Sequence, residues 1–440
     1  MTSATLGLLA KTVTNISEIE QNPDKVYFPF LGGDNIFTNG FRLNNEMFTI
    51  PGTNFAVYWY GFLIALGILL AMIYGFKKMR SFGIDPDRAT DAVIGGLIGA
   101  IIGARLYYVI FSFSDYLTES GSVDWKAIIS IRDGGLAIYG GIIGAILVGG
   151  IIAKIKKLKL VALLDVVAPC FLIGQAIGRW GNFFNQEAFG SNTTLPWGMM
   201  SSKTISYLSE VQTEIADKAG VVIDQYLPVH PCFLYESLWC ILGFVLLHLY
   251  AKHRKFDGEV FLMYIGWYGL GRFFIEMLRT DSLYLANIKI SELVAGTCVL
   301  VSIILIIIFR SMVKRNENYK LYADTDISKA QLAEYDMFVN MKSEKSQLKK
   351  QIKKAKARGE DFSKLQAEYD EKFGENAKKP EIKIDLSGDK ESYRPIIEDD
   401  QAITSNLDMD TVIDESDIDE LNKLEPIEAS DNDKEDNDNE

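Results

Sequence analysis

The chain has 440 residues, 48% hydrophobic and 23% charged, with a formal net charge of -13. These averages exclude both a wholly disordered polymer and a simple hydrophobic plug. They also hide a split. Residues 1–310 carry 24 Lys and Arg against 24 Asp and Glu, whereas residues 311–440 carry 21 against 34. The excess negative charge therefore lies in the C-terminal part, a polar segment poor in aromatics that reads as a soluble tail with little core. The first part is neutral, rich in Gly and aromatics, and broken into long uncharged runs, which is the composition of a membrane protein.

In chain order, the first 25 residues lack a basic segment followed by a sustained apolar run, since Leu6 to Ala10 is the only short apolar patch. No cleaved signal peptide is expected. Residues 1–50 form an N-terminal extension, with Pro29, Gly32, Gly33 and Gly52 marking turns rather than a long helix. Seven segments then approach the roughly 20 apolar residues that a bilayer core of about 30 Å requires. They are 57–76, 92–113, 136–153, 160–177, 232–250, 260–278 and 290–309. The fold class predicted is all-α integral membrane, with seven transmembrane helices over a body of residues 51–315.

Cations fix the orientation. Lys77, Lys78, Arg80 and Arg88 follow the first span, Lys154, Lys156, Lys157 and Lys159 the third, Lys252, Arg254 and Lys255 the fifth, and Arg310, Lys314 and Arg315 the seventh. The intervening connections are poorer in cations, with only Lys126 and Arg132 between 114 and 135. Every second connection is basic, which predicts an external N-terminus and a cytoplasmic C-terminus. The connection at about 179–231 is too long for a turn and is expected to form a small external cap. Glycines at helical spacing in the second span (Gly95, Gly99, Gly103) and third span (Gly140, Gly144) read as close helix packing.

Cys170, Cys232, Cys240 and Cys298 lie in or beside apolar runs with no C-x-x-C spacing, which argues against a disulfide framework or a zinc site. Three scattered histidines do not form a metal site. No metal, cofactor or nucleic-acid partner is called for.

Charges inside a span are costly and mark candidate sites. At 1.5 Å per residue, Arg105 lies about 12 Å and Arg272 about 9 Å from the outer ends of their spans. Glu236 is four residues inside the fifth span, so all three belong to the outer half. Arg272, Glu276 and Arg279 share one helical face. They read either as a self-neutralising ladder or as an anion site, because arginine presents a planar fork of donors matched to phosphate oxygens. The densest polar run, from Gly178 to Gly190, interleaves Arg179, Asn182, Asn185 and Glu187 with aromatics where the fourth helix leaves the bilayer. It is suited to gripping a polar headgroup. Asp165, near the cytoplasmic end, reads as a structural partner, and His248 and His253 as non-catalytic. His230, beside Pro231, reads equally as a headgroup contact or a helix-entry residue.

The run Gly178-Arg179-Trp180-Gly181-Asn182-Phe183-Phe184-Asn185-Gln186-Glu187 resembles the signature of the prolipoprotein diacylglyceryl transferases of bacterial membranes. Further matching elements occur in order: Trp59-Tyr60-Gly61, Gly103-Ala104-Arg105-Leu106, Gly134 to Gly141 with Tyr139, His230-Pro231, Tyr235-Glu236, and Tyr268-Gly269 through Arg272, Glu276, Arg279 and Asp281. The resemblance covers roughly residues 50–310. It implies a multi-pass enzyme of the bacterial cytoplasmic membrane that moves a diacylglyceryl group from phosphatidylglycerol to the lipobox cysteine of a prolipoprotein. By the same resemblance Arg179 and Arg272 are essential, as headgroup binder and transition-state cation. Asn182, Glu187, Glu276 and Arg279 position the headgroup and the arginines, Tyr60 lines the cavity, and Asn185, Arg105, His230, Tyr235 and Glu236 complete the substrate-binding set.

Many relatives carry His where this chain has Tyr139. A tyrosine, with a reference pKa of about 10, is a poor base at neutral pH, so Tyr139 is expected to orient substrate or relay a proton. Beyond residue 315, the stretch from Lys342 to Arg358 is basic and helix-permissive, suited either to the anionic inner leaflet or to solvent. The last 50 residues carry 19 acidic against 3 basic groups and are expected to be disordered. Two other classes fit the residues less well. A transporter should have polar residues reaching the cytoplasmic half of the spans as well, and a CDP-alcohol phosphotransferase needs an Asp-rich motif that the spans lack.

Overall fold

Within an apolar run the backbone has only its own groups to bond with, so each run closes into a helix. The computed structural model describes residues 16–31, 35–53, 55–118, 121–130, 134–219, 223–280, 284–285 and 288–374. Arg132, Asp281, Gly32, Gly33 and the acidic C-terminal end lie outside the described residues.

The chain opens with α1 (Ile16–Gln21), β1 (Lys25–Tyr27), β2 (Phe41–Arg42), β3 (Glu46–Thr49) and β4 (Ala56–Tyr58). The long helices follow: α2 (Trp59–Met79), α3 (Pro86–Phe111), the short α4 (Trp125–Ile129), α5 (Ile138–Ile155) and α6 (Leu160–Asn185). Then come β5 (Met200–Ser201), α7 (Ser202–Ala219), α8 (Cys232–Tyr250), α9 (Glu259–Leu278), β6 (Tyr284–Leu285), β7 (Ile288–Lys289), α10 (Ile290–Arg315), α11 (Asp326–Arg358) and α12 (Ser363–Phe373).

Among the described residues, six helical segments are long and apolar enough to cross a membrane: Trp59–Phe82, Pro86–Phe111, Ile138–Ile155, Leu160–Asn185, Cys232–His253 and Ile290–Arg315. Their outward faces carry exposed Leu69, Ile102, Ile146, Leu238 and Leu300, apolar surface of the kind that lipid covers. The remaining predicted segment is also a helix, α9, but it carries Glu259, Arg272 and Glu276 and is not among the six.

Two boundaries differ instructively from the sequence expectation. Helix α3 begins at Pro86, six residues early, because the Asp85 carboxylate accepts hydrogen bonds from the amides of Asp87 (2.8 Å) and Arg88 (3.3 Å) and proline suits the first helical position. Helix α6 continues to Asn185, so the polar signature occupies its last two turns and is not a loop. The helix stops at Gln186, which adopts a left-handed conformation with φ 56°.

Helix α3 packs along α5, α2 along α6, α6 along α8, and α9 against α8 and α10. The glycine stripes serve the first pair: a Cβ at Gly144 would meet the carbonyl oxygen of Gly99 at 2.1 Å, so the backbones touch. Helices α8 and α9 are joined by a reciprocal clasp. Trp239 and Trp267 stack at 4.2 Å, the Trp239 indole N–H donates to the Trp267 carbonyl (2.9 Å), and that of Trp267 donates to the Trp239 carbonyl (3.0 Å). Each ring lies over a glycine of the opposite helix, Gly271 under Trp239 and Gly243 under Trp267.

The N-terminal extension and the long connection after α6, which read in the sequence as separate segments, share one sheet. Val26 of β1 pairs with Phe41 of β2 and with Ser201 of β5, all antiparallel. Val26, Leu43, Phe183, Phe189, Met199, Leu208, Val229 and Phe233 form the core beneath, so this layer rests on the signature end of α6.

At the opposite end of the bundle, Asp165 of α6 accepts from the amides of Gly258 (2.7 Å) and Phe261 (2.9 Å), capping α9 from a neighbouring helix. The tail does not begin as a solvated appendage. Tyr322 is fully buried in the same core as Met79, Phe82, Ile84, Leu158 and Val260. Its amide donates to Asp257 (2.9 Å) and its hydroxyl to Gln331 (2.9 Å). Lys342 to Arg358 is helical, as its composition suggested.

Two outcomes follow from these contacts. A Cβ at Gly271 would stand 2.3 Å from the Trp239 ring, and overpacking of this kind costs about 1–3 kcal/mol. Gly271→Ala therefore lowers the unfolding midpoint in detergent, whereas Gly174→Ala, where a Cβ would meet nothing within 4 Å, does not. Tyr322→Ala removes a buried aromatic, a loss of about 3–5 kcal/mol in related cases. Limited proteolysis should then cut the segment Asn316 to Thr325 in the variant and leave it intact in the wild type.

Candidate functional site: an arginine cluster bridged by glutamates

Helix direction brings the charged residues to one level. Arg179 lies six residues before the end of α6, Glu236 four residues after the start of α8, and Arg272 six before the end of α9. All three therefore stand about 6–9 Å from the same end of the bundle.

Glu236 is the centre of the arrangement. One carboxylate oxygen pairs with the Arg179 guanidinium. The other accepts from Arg272 at 2.9 Å and lies 3.7 Å from Arg279. Glu276 pairs with Arg272 at 2.6 Å and lies 4.0 Å from Arg279. Arg272 and Glu276 lie within α9 and Arg279 just past its end, where extended backbone replaces the helical face expected from the spacing, yet the three still meet and Glu236 ties them to the signature arginine. Tyr268 of α9 is a further neighbour of Arg179. The two glutamate side chains are 4% and 2% exposed, whereas Arg179 and Arg272 each keep 21%. Among the described residues three guanidiniums meet two carboxylates, and the arginines are the more accessible partners. Fixed donors in a site partly shielded from water form a strong receptor for an anion, and above all for a tetrahedral oxyanion that can engage several arginine forks.

The ends of α9 and α10 hold the cluster still. The Lys289 ammonium donates to the carbonyls of Glu276 (2.7 Å) and Arg279 (2.7 Å), which closes the C-terminus of α9. The stretch after α6 stitches neighbouring helices together: the Gly190 amide donates to the His230 carbonyl (2.9 Å) and the Ser191 amide to the Leu278 carbonyl (2.6 Å).

Other residues singled out in the sequence take several positions. Tyr60, in the first turn of α2, lays its ring over Gly181, where a Cβ would approach it to 2.5 Å. This places the tyrosine two residues along α6 from Arg179. Asn182 is half-buried on α6, and its carbonyl accepts the amide of Glu187 at 3.0 Å. Glu187 is exposed and accepts from the Asn185 amide group (3.1 Å), so the carboxylate that orients Arg179 is Glu236 and not the signature glutamate. Trp197 donates to the Tyr235 hydroxyl (2.8 Å), which is 3.1 Å from the His230 ring nitrogen. Burial lowers the His230 pKa below its ordinary value and keeps the ring neutral at pH 7.

Arg105 serves a different purpose. Its guanidinium donates to the carbonyls of Ala127 (2.7 Å), Ile128 (2.8 Å), Gly134 (2.8 Å) and Gly135 (2.8 Å) and lies over the Tyr116 ring. It fastens the connection between α3 and α5, directly before Tyr139. Tyr139 itself, in the first turn of α5, is 63% exposed.

The tryptophan clasp escaped the sequence reading. Its signal was present: Trp239 and Gly243, and Trp267 and Gly271, are two Trp-x-x-x-Gly pairs on consecutive apolar segments. One bulky and one small residue a turn apart on each helix is the pattern a reciprocal contact requires.

The arrangement also has close relatives. The family model described as prolipoprotein diacylglyceryl transferase matches residues 45–308. A phosphatidylglycerol--prolipoprotein diacylglyceryl transferase of Clostridium novyi (strain NT) is 41% identical over 278 residues, which is 63% of this chain and 100% of the relative. Enzymes of the same name from Finegoldia magna and Bacillus cytotoxicus are each 40% identical, over 62% and 60% of this chain and 99% and 92% of their own lengths. The matched region holds every residue of the arginine cluster, and the chain belongs to the prolipoprotein diacylglyceryl transferase family.

Proposed function

We propose that this chain transfers the diacylglyceryl group of phosphatidylglycerol to the thiol of a prolipoprotein lipobox cysteine, forming a thioether and releasing glycerol phosphate. The observation that carries the reading is the cluster of Arg179, Arg272 and Arg279 held on Glu236 and Glu276. Its guanidinium forks match the oxygens of a phosphodiester, and the names of the relatives supply both substrates.

The cysteine sulfur attacks the glyceryl carbon bonded to the phosphodiester oxygen. The carbon–oxygen bond breaks, its electron pair leaves with the phosphate, and the thiol proton passes to the departing group or to solvent. Negative charge grows on the phosphate as the bond breaks, so cations fixed beforehand stabilise the transition state more than the ground state. Arg179 grips the headgroup and Arg272 faces the developing charge. The two glutamates keep both guanidiniums in place without cancelling them. Tyr60, Asn182, Asn185, Glu187, His230 and Tyr235 border the headgroup position, and Tyr139 orients substrate at the mouth. Arg105 acts on Tyr139 through the connection it fastens.

In this reading α9 is a seventh span, its charges tolerated because they pair inside the bundle. The enzyme sits in the bacterial cytoplasmic membrane with the arginine end outward, the sheet layer of residues 179–231 forming an external cap with the extension 1–50, and residues 316–440 in the cytoplasm. Cations concentrated at the opposite end of the bundle support that orientation. The transporter alternative has no support among the relatives.

The test is purified full-length protein with phosphatidylglycerol vesicles and a lipobox peptide, read by mass. The peptide should gain one diacylglyceryl unit, and no gain would overturn the assignment. Arg179→Ala should abolish transfer while the protein still inserts into membranes, and Arg272→Ala should slow it by about 100-fold or more. Full activity of Arg179→Ala would show that the cluster is not the phosphate site. For Tyr139, an orienting role predicts that Tyr139→Phe keeps turnover near the wild-type value. A loss of about 100-fold would assign it a proton transfer instead.

A further inference from the structure

Helix α11 begins under the bundle and outlasts it. Its first three turns cross the loop end of the body: Ser328 donates to the Gly83 carbonyl (2.7 Å), Gln331 to the Lys157 carbonyl (3.2 Å), Glu334 pairs with Arg88 (2.6 Å) and Asp336 with Arg80 (2.7 Å). These partners lie on two separate connections between spans, and Tyr322 is anchored to a third through Asp257. A helix that touches several connections at one end of a bundle runs across that end. The remaining 22 residues, 337–358, extend it by about 33 Å.

The side chains keep a constant direction along this length. At about 100° per residue, Lys342, Lys345, Lys349, Lys353 and Lys356 all fall within about 40° of the line through Gln331. Ser328, Glu334 and Tyr335 lie within about 60° of the same line, while Asp336, which reaches Arg80 from the flank, lies about 140° away. The face that meets the body in the first half is therefore continued as a basic stripe in the second. Helix α12 packs mainly on another side of α11, where Lys372 pairs with Glu344 and Leu348 and Ala355 are buried, and it brings the Tyr369 ring beneath the ammonium groups of Lys345 and Lys349. Lys342, Lys349, Lys353 and Lys356 remain exposed, preceded on the same face by exposed Phe338.

We propose that this stripe lies on the anionic lipid surface beside the bundle, with α11 acting as an outrigger parallel to the membrane. The connections that α11 crosses join apolar helices and so mark the level of the membrane surface. The face turned toward them is turned toward that surface wherever the helix overhangs it. Lysines on long flexible stems reach phosphate groups from such a position, and Phe338 enters the interface nearest the body. The inference rests on the apolar helices as membrane spans and not on the transferase chemistry.

The test is lysine acylation footprinting of the full chain in nanodiscs, either neutral phosphatidylcholine or phosphatidylcholine mixed with phosphatidylglycerol. Lys342, Lys353 and Lys356 should label about 5-fold more slowly in the anionic discs, with the rate restored by about 0.5 M NaCl. Lys354, on the opposite side of α11, should be unchanged. The footprint should persist in the Arg179→Ala protein, which separates it from the function of the arginine site. Equal rates in the two bilayers would overturn the proposal. Slow labelling in both that disappears on truncation after Gly374 would also overturn it, by assigning the stripe to the acidic C-terminal segment.

Discussion

Everything in this protein that bears on chemistry depends on Glu236 being surrounded by arginines. A carboxylate almost completely removed from water is costly unless its partners are close and correctly placed. Here three guanidiniums from two helices meet it, and a second buried carboxylate, Glu276, shares two of them. The arginines keep the more accessible side of the cluster, and in the proposed reaction donors fixed in this way favour a transition state in which a phosphate becomes more negative.

That cluster requires three helices to hold their registry, and the fold supplies a brace for each. Reciprocal stacking of Trp239 and Trp267 over opposing glycines locks α8 to α9, which fixes Glu236 relative to Arg272. Lys289 closes the end of α9 from the start of α10. The layer built from β1, β2 and β5 rests on Phe183 and Phe233, steadying the last turns of α6 around Arg179. At the far end, Asp165 caps α9 and Tyr322 seals the core. The site is therefore held from both ends of the bundle, with rigid elements rather than loops carrying the reacting groups.

The tail adds a second relationship to the membrane. The curated relatives are covered almost to their full length by about three fifths of this chain, so α11 and α12 lie beyond the matched region. Yet α11 is integrated with the body through buried Ser328 and Gln331 as well as surface ion pairs. Surface pairs alone would contribute little. The buried hydrogen bonds and Tyr322 give the docking its specificity.

The amino-acid sequence by itself determined where the apolar helices run, which of them carry charge, that Arg272, Glu276 and Arg279 are spaced to meet, and that Arg179 sits in a polar signature. These are properties of local periodicity and of a contiguous signature, both visible along a single line of residues. Only the tertiary structure decided that Glu236 rather than Glu187 orients Arg179, and that Arg105 fastens a connection instead of joining the cluster. It alone joined the N-terminal strands to the cap and turned the lysines of α11 to the face that meets the body. Each of these depends on which element stands beside which. An arginine's partner is fixed by a distance of a few ångströms between side chains 43 to 57 residues apart in sequence, and spacing along the chain carries no record of it.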